Sequence, residues 1–224
     1  MNDVFELMRS RHSVRRYTDQ PLSEEIIKAL NAEIAFCNKE GRLNMQLITD
    51  EPEAFDGFMA HYGKFSGVRN YIAVVADKGR DFSERCGYYA ERVVLKAQEL
   101  GLNTCWVALT YSRGKSTYDV GKGEKFSMVI SVGYGIKQGR DHVSKPFDEV
   151  AEIKNGTEIP EWFKRGVEAA LLAPTAMNQQ KFRFILDGNK VKAKALLGFY
   201  TKVDLGIAKY HFELGAGKEN FEWE

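Results

Sequence analysis

Ala173-Pro174-Thr175-Ala176-Met177-Asn178-Gln179-Gln180 separates an apolar helical pattern, 161–172, from a strand pattern, 182–187. The helix stops at the Pro-Thr turn. The strand runs into Asp187-Gly188, a hairpin signal, and beyond it lie a helix around 203–216 and a terminal strand. The turn offers carboxamides at Asn178 and Gln180. A carboxamide carries donors and acceptors together, which suits the mixed hydrogen-bonding edge of a heterocycle. A loop that only caps its own backbone has the same composition.

Working outward, the first part of the chain echoes this junction. EIIKALNAEIAF…MQLITD (25–36, 45–50) matches WFKRGVEAALLA…FRFILD (162–173, 182–187) in pattern, though not residue for residue. Each pair then runs into a glycine-containing helix, Cys86-Gly87-Tyr88 in one and Leu205-Gly206-Ile207 in the other. The remaining pattern predicts a helix at 3–9 capped by Asp3 and a second helix capped by Ser23, with carboxylates in its first turn. Strands are expected at 45–49, 71–76, 104–109 and 126–134, and a helix at 84–100 closed by Gly101. Residues 111–125 read as a surface loop. A long connection, 137–160, ends at Asn155-Gly156 and Pro160 and reads as the joint between two halves, 1–150 and 151–224.

Bulk properties narrow the function classes. The 224 residues are 44% hydrophobic and 28% charged, which is ordinary for a globular protein with a proper core. Lys plus Arg is 32 against 31 for Asp plus Glu, a net charge of +1. Nothing global recommends nucleic acid or an anionic membrane as partner, so any basic site is local. Three widely spaced cysteines, Cys37, Cys86 and Cys105, argue against a disulfide framework and a structural zinc site. With no signal-like apolar run at the N-terminus and no membrane-length span, a cytoplasmic protein is expected.

Several motifs fail on inspection. Arg113-Gly114-Lys115-Ser116 ends like a P-loop but has Leu109 where the first glycine belongs. Gly133-Tyr134-Gly135 follows a strand, but no third glycine opens an apolar helix. The four histidines have no paired spacing, so no metal is expected. There is no GxSxG elbow.

Arg11-His12-Ser13-Val14-Arg15-Arg16-Tyr17 is different. Alternation places Arg11, Ser13 and Arg15 on one side of an extended segment. Two guanidiniums and a hydroxyl suit a phosphate; a solvated basic turn has the same residues.

Taken together, RHSVRRY (11–17), ELGLNTCWVA (99–108), KPFDEV (145–150), APTAMNQQKFRF (173–184) and VDLGIAKYHFELGA (203–216) resemble the flavin-dependent nitroreductase family. The order is unusual. In the ordinary family the Asn turn lies soon after the basic segment, and the partner subunit of a homodimer supplies it to the flavin. Here it lies far downstream, as in a divergent branch in which one chain contains both dimer-like halves.

The resemblance implies an α+β fold: an α/β/α sandwich with a mixed, mainly antiparallel sheet and two pseudo-repeated halves. It implies FMN as cofactor and NADH or NADPH as reductant. Arg11 would pair with the FMN phosphate, and His12 and Ser13 would meet the phosphate or ribityl region. Arg15 would face the N1–C2=O edge, and backbone at Ala108, Leu109 and Thr110 would lie near N5. Pro174, Thr175 and Asn178 would approach from the second half, with Gln180 orienting the turn. The family often has Gly at positions 108 and 109, and a basic pair where Ser144-Lys145-Pro146 stands; Lys145 would substitute there. Lys181-Phe182 replaces the usual Pro-Trp. No side chain is implied as acid or base, since flavin N5 carries the chemistry. The implied reaction is a ping-pong reduction of a small-molecule acceptor such as a nitroaromatic or quinone. A dehalogenating or dehydrogenating flavin enzyme, or a non-catalytic flavin sensor, fits the same scaffold. Each motif occurs once, so one complete site per chain is expected; a monomer would suffice, and a dimer is compatible.

Overall fold

A computed structural model of the chain describes residues 4–154 and 158–224. The expected Asp3 cap and the Asn155-Gly156 joint lie outside them. In chain order the elements are α1 (Val4–Ser10), α2 (Glu24–Gly41), β1 (Gln46–Ile48), α3 (Phe58–Tyr62), β2 (Asn70–Asp77), α4 (Phe82–Glu99), β3 (Asn103–Val107) and β4 (Glu124–Gly133). They continue with α5 (Phe147–Val150), β5 (Ala151–Ile153), α6 (Glu161–Ala170), β6 (Phe182–Asp187), β7 (Lys190–Ala195), α7 (Thr201–Ala216) and β8 (Glu222–Trp223). This is the expected α+β composition, with the strands divided between two four-stranded sheets. The chain forms two compact units that interleave along the sequence, a division by packing rather than by the expected functional halves at residue 150.

One unit comprises Arg11–Phe82 and Arg92–Asp141. Its sheet has the order β1-β2-β4-β3 and is antiparallel throughout. Tyr71 to Ala76 are all buried, as a strand covered on both faces requires, which is why the stretch reads as an unbroken apolar run. Ser23 caps α2 by accepting from the Ile26 N–H at 3.4 Å, and Gly101 follows α4 at φ +79°, as expected. Strand β3 stops at Val107, two residues short of expectation, and the chain bends through Ala108–Tyr111. The aromatic stretch between β1 and β2 holds a 3-10 turn at Pro52–Phe55 and the short α3. Its Phe55 packs against Phe65, Tyr71 and Tyr111, with centroids 5.3 to 6.0 Å apart.

The other unit comprises the residues up to Ser10, Ser83–Glu91 and His142–Glu224. Its sheet has the order β5-β6-β7-β8, with β6-β7 antiparallel and the outer pairs parallel. The hairpin read from Asp187-Gly188 is present, with Asp187 opposite Lys190 and Gly188 at φ +64°. The expected 137–160 connection is not structureless: it holds α5 and β5. Strand β5 has only three residues and forms by pairing Ala151 with Phe184, so no local periodicity announces it. The core is aromatic. Phe184 stacks on Phe212 at 4.6 Å, and Phe163 and Phe221 meet Phe212 edge-on.

Within this unit the two glycine helices meet. A Cβ on Gly87 would fall 2.1 Å from the Val203 carbonyl oxygen and 3.1 Å from the Ile207 nitrogen. A Cβ on Gly206 would fall 1.9 Å from the Glu84 carbonyl oxygen and 2.8 Å from the Tyr88 nitrogen. Each glycine touches the residue three before and one after the other glycine. Such reciprocity is the mark of an isologous contact, here made inside one chain. The echo between α4 and α7 is thus a packing relation as well as a sequence pattern.

Among the described residues no helix is long and apolar enough to cross a membrane, and no cluster of His, Cys, Asp or Glu could hold a metal ion.

Candidate functional site

The basic segment is stitched on both sides into its own unit. The Val14 N–H donates to Thr104 O at 3.0 Å, so the segment runs beside β3. The Tyr17 N–H donates to Ser66 O, Thr18 N–H to Tyr134 O and Ile136 N–H to Arg16 O. The Tyr17 hydroxyl donates to Val14 O at 2.7 Å and lies 2.9 Å from Ser131 Oγ. Burial pushes this phenol well up, so it remains a neutral anchor.

Arg11, Ser13 and Arg15 converge. All three act on the buried Cys105 thiol: Arg15 and Arg11 through their charge, Ser13 through a side-chain hydrogen bond. Burial outweighs them and raises the thiol's pKa, so Cys105 is held protonated and is no nucleophile. What the three groups share is a patch of concentrated positive charge and donors. Arg11 is buried, while Ser13 and Arg15 are exposed. Arg15 also lies over the Phe65 ring, 5.9 Å from its centroid. His12 Nδ1 sits 2.9 Å from Gln138 O. Gln138 in turn accepts from Asn103 Nδ2 through its side chain at 2.9 Å. The chain after β4, from Tyr134 to Gln138, therefore packs against the basic segment. Ala108, Leu109 and Thr110 lie on the bend that leaves β3, the strand that pairs with this segment; Leu109 is exposed.

The Asn turn belongs to the other unit. Met177, Asn178 and Gln180 all have positive φ, at 53°, 53° and 44°. Left-handed backbone costs roughly 1–2 kcal/mol for a residue with a Cβ, least for Asn, so surrounding bonds must impose it. Gln180 is buried and both its N–H groups are used: its Nε2 donates to Val143 O at 2.8 Å and Asn178 Oδ1 at 3.0 Å, and its Oε1 accepts from the Lys145 N–H at 2.9 Å. The Gln180 N–H donates to Thr175 Oγ1 at 3.0 Å. Asn178 Nδ2 also donates to Val143 O at 2.8 Å. The Asn178 carboxamide keeps one N–H and one lone pair beyond these bonds. Pro174 is buried, and the Lys145 ammonium pairs with Glu149 at 3.7 Å.

Two residues complete this turn system, and the sequence did not link the motif that holds one of them, 203–216, to the turn. Asp204, at the start of α7, accepts from the Ala176 N–H at 3.1 Å and from Gln179 Nε2 at 2.8 Å. Gln179 Nε2 also donates to Phe199 O at 2.7 Å. Nothing local in the sequence connects positions 25 residues apart; the one signal was the resemblance of 203–216 to a family helix motif. Burial, opposed by the two hydrogen bonds, lifts the Asp204 pKa from 3.8 to about 6. A carboxyl whose pKa is higher folded than unfolded stabilises fully below the unfolded value, about 3.8, and loses that contribution as pH rises through about 6. Asp204→Asn should remove this dependence. The difference in unfolding free energy between parent and variant should change by on the order of 2 kcal/mol between about pH 4 and about pH 7, measured by denaturant titration. A flat difference would remove Asp204 as the titrating group.

Comparison with known proteins follows the same lines. A family model described as "Putative TM nitroreductase" matches residues 3–216. A nitroreductase structure from Thermotoga maritima is similar over 97% of this chain and 85% of its own, with 22% identity and a TM-score of 0.67. A Desulfovibrio desulfuricans nitroreductase, solved in complex with FMN, is 20% identical with a TM-score of 0.52 over 66% of this chain and 95% of its own. A Parabacteroides distasonis protein described as an NADH dehydrogenase/NAD(P)H nitroreductase is 20% identical with a TM-score of 0.51, over 67% of this chain and 97% of its own. At these identities the structures speak for the fold. No curated protein matches the sequence.

Proposed function

The chain belongs to that nitroreductase family, and from this premise we propose that it is an FMN-dependent oxidoreductase that uses NADH or NADPH to reduce a small-molecule acceptor. The observation that carries the reading is the placement of Arg11, Ser13 and Arg15 on one segment that runs beside β3, with Ser13 bridged to Thr104. Two guanidiniums and a hydroxyl match the donor demand of a phosphate dianion, and the net charge of +1 makes this local concentration stand out. The residues present therefore fit the phosphate end of FMN.

Bound FMN would supply the two-electron chemistry, accepting hydride from a nicotinamide and passing electrons to the acceptor. The chain's own residues bind and orient it. Arg11 and Ser13 hold the phosphate, with His12 beside them. Arg15 places a fixed positive charge toward the N1–C2=O edge, where it favours negative charge accumulating on reduction. Ala108, Leu109 and Thr110 offer backbone near N5, and Pro174, Thr175 and Asn178 of the Asn turn, which Gln180 orients with Lys145 at its base, contribute from the same chain or from a second copy. Since each segment occurs once, the reading assigns one FMN per chain. Nitroaromatics and quinones are the test acceptors.

The test is an absorbance spectrum followed by anaerobic addition of NADH or NADPH. A flavin spectrum that bleaches, and recovers when a quinone is added, supports the proposal. Flavin that does not bleach points to a sensor, and a colourless protein that takes up no FMN overturns the reading. Within the reading, Arg11→Ala should weaken FMN binding about ten- to a hundredfold, the consequence of losing a charge-assisted contact of roughly 1.5–3 kcal/mol. Fluorescence titration checks it, and unchanged affinity would move the phosphate elsewhere.

A further inference from the structure

We infer that Asp204 is the positioning residue of the Asn turn: its carboxylate, bound to the Ala176 N–H and to Gln179 Nε2, holds Met177 and Asn178 in the left-handed conformation that FMN binding uses. The inference rests on the flavin reading above and deepens it.

The turn is a costly shape. Three residues with side chains sit in left-handed backbone within four positions. Met177 is 95% exposed, so burial of its side chain does nothing to stabilise it there. A bulky apolar residue that is both strained and exposed is a pattern found where a ligand is met. Something must over-determine the backbone, and the structure shows two clamps. Gln180 secures the far end through Val143 and Lys145. Asp204 secures the near end. One oxygen takes the backbone donor of Ala176, immediately before the strained pair, and the other takes the side chain of Gln179, immediately after it. The two bonds bracket Met177 and Asn178.

The clamp is itself fixed. Asp204 is 3% exposed and lies in the first turn of α7. Gln179 is tied to a second point, Phe199 O, and a Cβ on Gly198 would meet Gln179 Oε1 at 2.6 Å, so the carboxamide has little room to turn. A buried carboxylate that takes only these donors contributes little to a core by its own burial. Its placement makes sense as a device that fixes the turn.

The experiment compares parent, Asp204→Asn, Gln179→Leu and the double variant by amide hydrogen exchange over 174–181 and by FMN titration. Asparagine keeps one acceptor oxygen and loses the other, so one arm of the clamp must release. We expect faster exchange at Ala176 to Gln180 with the sheet amides unchanged, and FMN affinity about ten- to a hundredfold weaker. Gln179→Leu removes one arm at a partly exposed position and should reproduce part of the loss. The double variant should fall short of the product of the two effects, since both act through one clamp. Unchanged exchange in both single variants overturns the inference whether or not flavin binds. Faster exchange with unchanged FMN affinity overturns it too, because the clamp would then be structural alone. A parent protein that takes up no FMN refutes the flavin reading instead, and the exchange arm still decides whether Asp204 holds the turn.

Discussion

Gly206→Ala is expected to destabilise the protein by about 4 kcal/mol or more, placing it among the rare severe single substitutions. The added methyl would sit 1.9 Å from the Glu84 carbonyl oxygen and 2.8 Å from the Tyr88 nitrogen, where real Cβ atoms do not come within 3.0 Å. Both obstacles are helix backbone, so no side-chain rotation relieves them. The helices must move apart, and α7 is not free to do so: a Cβ on Gly215 would already meet the Arg165 carbonyl oxygen of α6 at 2.6 Å. Separation would open the backbone contact between α4 and α7 and forfeit packing along its length. Gly87→Ala should behave alike, because the contact is reciprocal. Urea unfolding of both variants is the measurement. A loss under about 1 kcal/mol for either would show that the crossing is loose and that reciprocity carries no packing constraint.

This contact bears on what the sequence could reveal. The glycines at 87 and 206 were visible as an echo, but a pattern of two helix–strand–helix units is common, and only the backbone approach gives the echo a physical cause. The long strands and helices were legible because periodicity and caps act over ten or more residues: Ser23, Gly101 and the buried run Tyr71–Ala76 each did what their chemistry dictates. Strand β5 and helix α5 were not, since three- and four-residue elements exist only through partners such as Phe184. The candidate site divides in the same way. The basic segment was readable because its groups are close in sequence, though alternation did not foresee that Arg11 is buried while Ser13 and Arg15 are exposed. That they act on Cys105 was hidden, because the bridge between Ser13 and Thr104 spans 91 positions. The Asn turn was recognised by composition, while its strain and its clamp depend on Asp204 and Val143, which belong to other elements.

Breaking the buried Glu91–His211 pair is the second large effect expected. The His211 ring bonds on both sides: Nε2 lies 3.0 Å from Glu91 Oε1 and Nδ1 lies 3.2 Å from Ala169 O. Both side chains are 0% exposed. Two acceptors, Glu91 Oε1 and Ala169 O, face one ring. Glu91→Ala would leave a ring nitrogen facing a void in the interior and should cost about 3–5 kcal/mol. Glu91→Gln should cost much less, because the carboxamide N–H can donate to Nε2 while the ring's own N–H stays on Ala169 O. Equal losses in the two variants would mean that charge, not the hydrogen bond, holds the pair; a loss under about 1 kcal/mol in Glu91→Ala would mean that the pair holds nothing. The consequence reaches the turn. His211 ties α7 to α4 through Glu91 and to α6 through Ala169, and Asp204 lies seven residues earlier on the same helix, about 10 Å along its axis. A pair that fixes the register of α7 also fixes where the Asp204 carboxylate stands. Glu91→Ala should therefore speed amide exchange at Ala176 as well as lower stability, whereas Glu91→Gln should leave that amide protected.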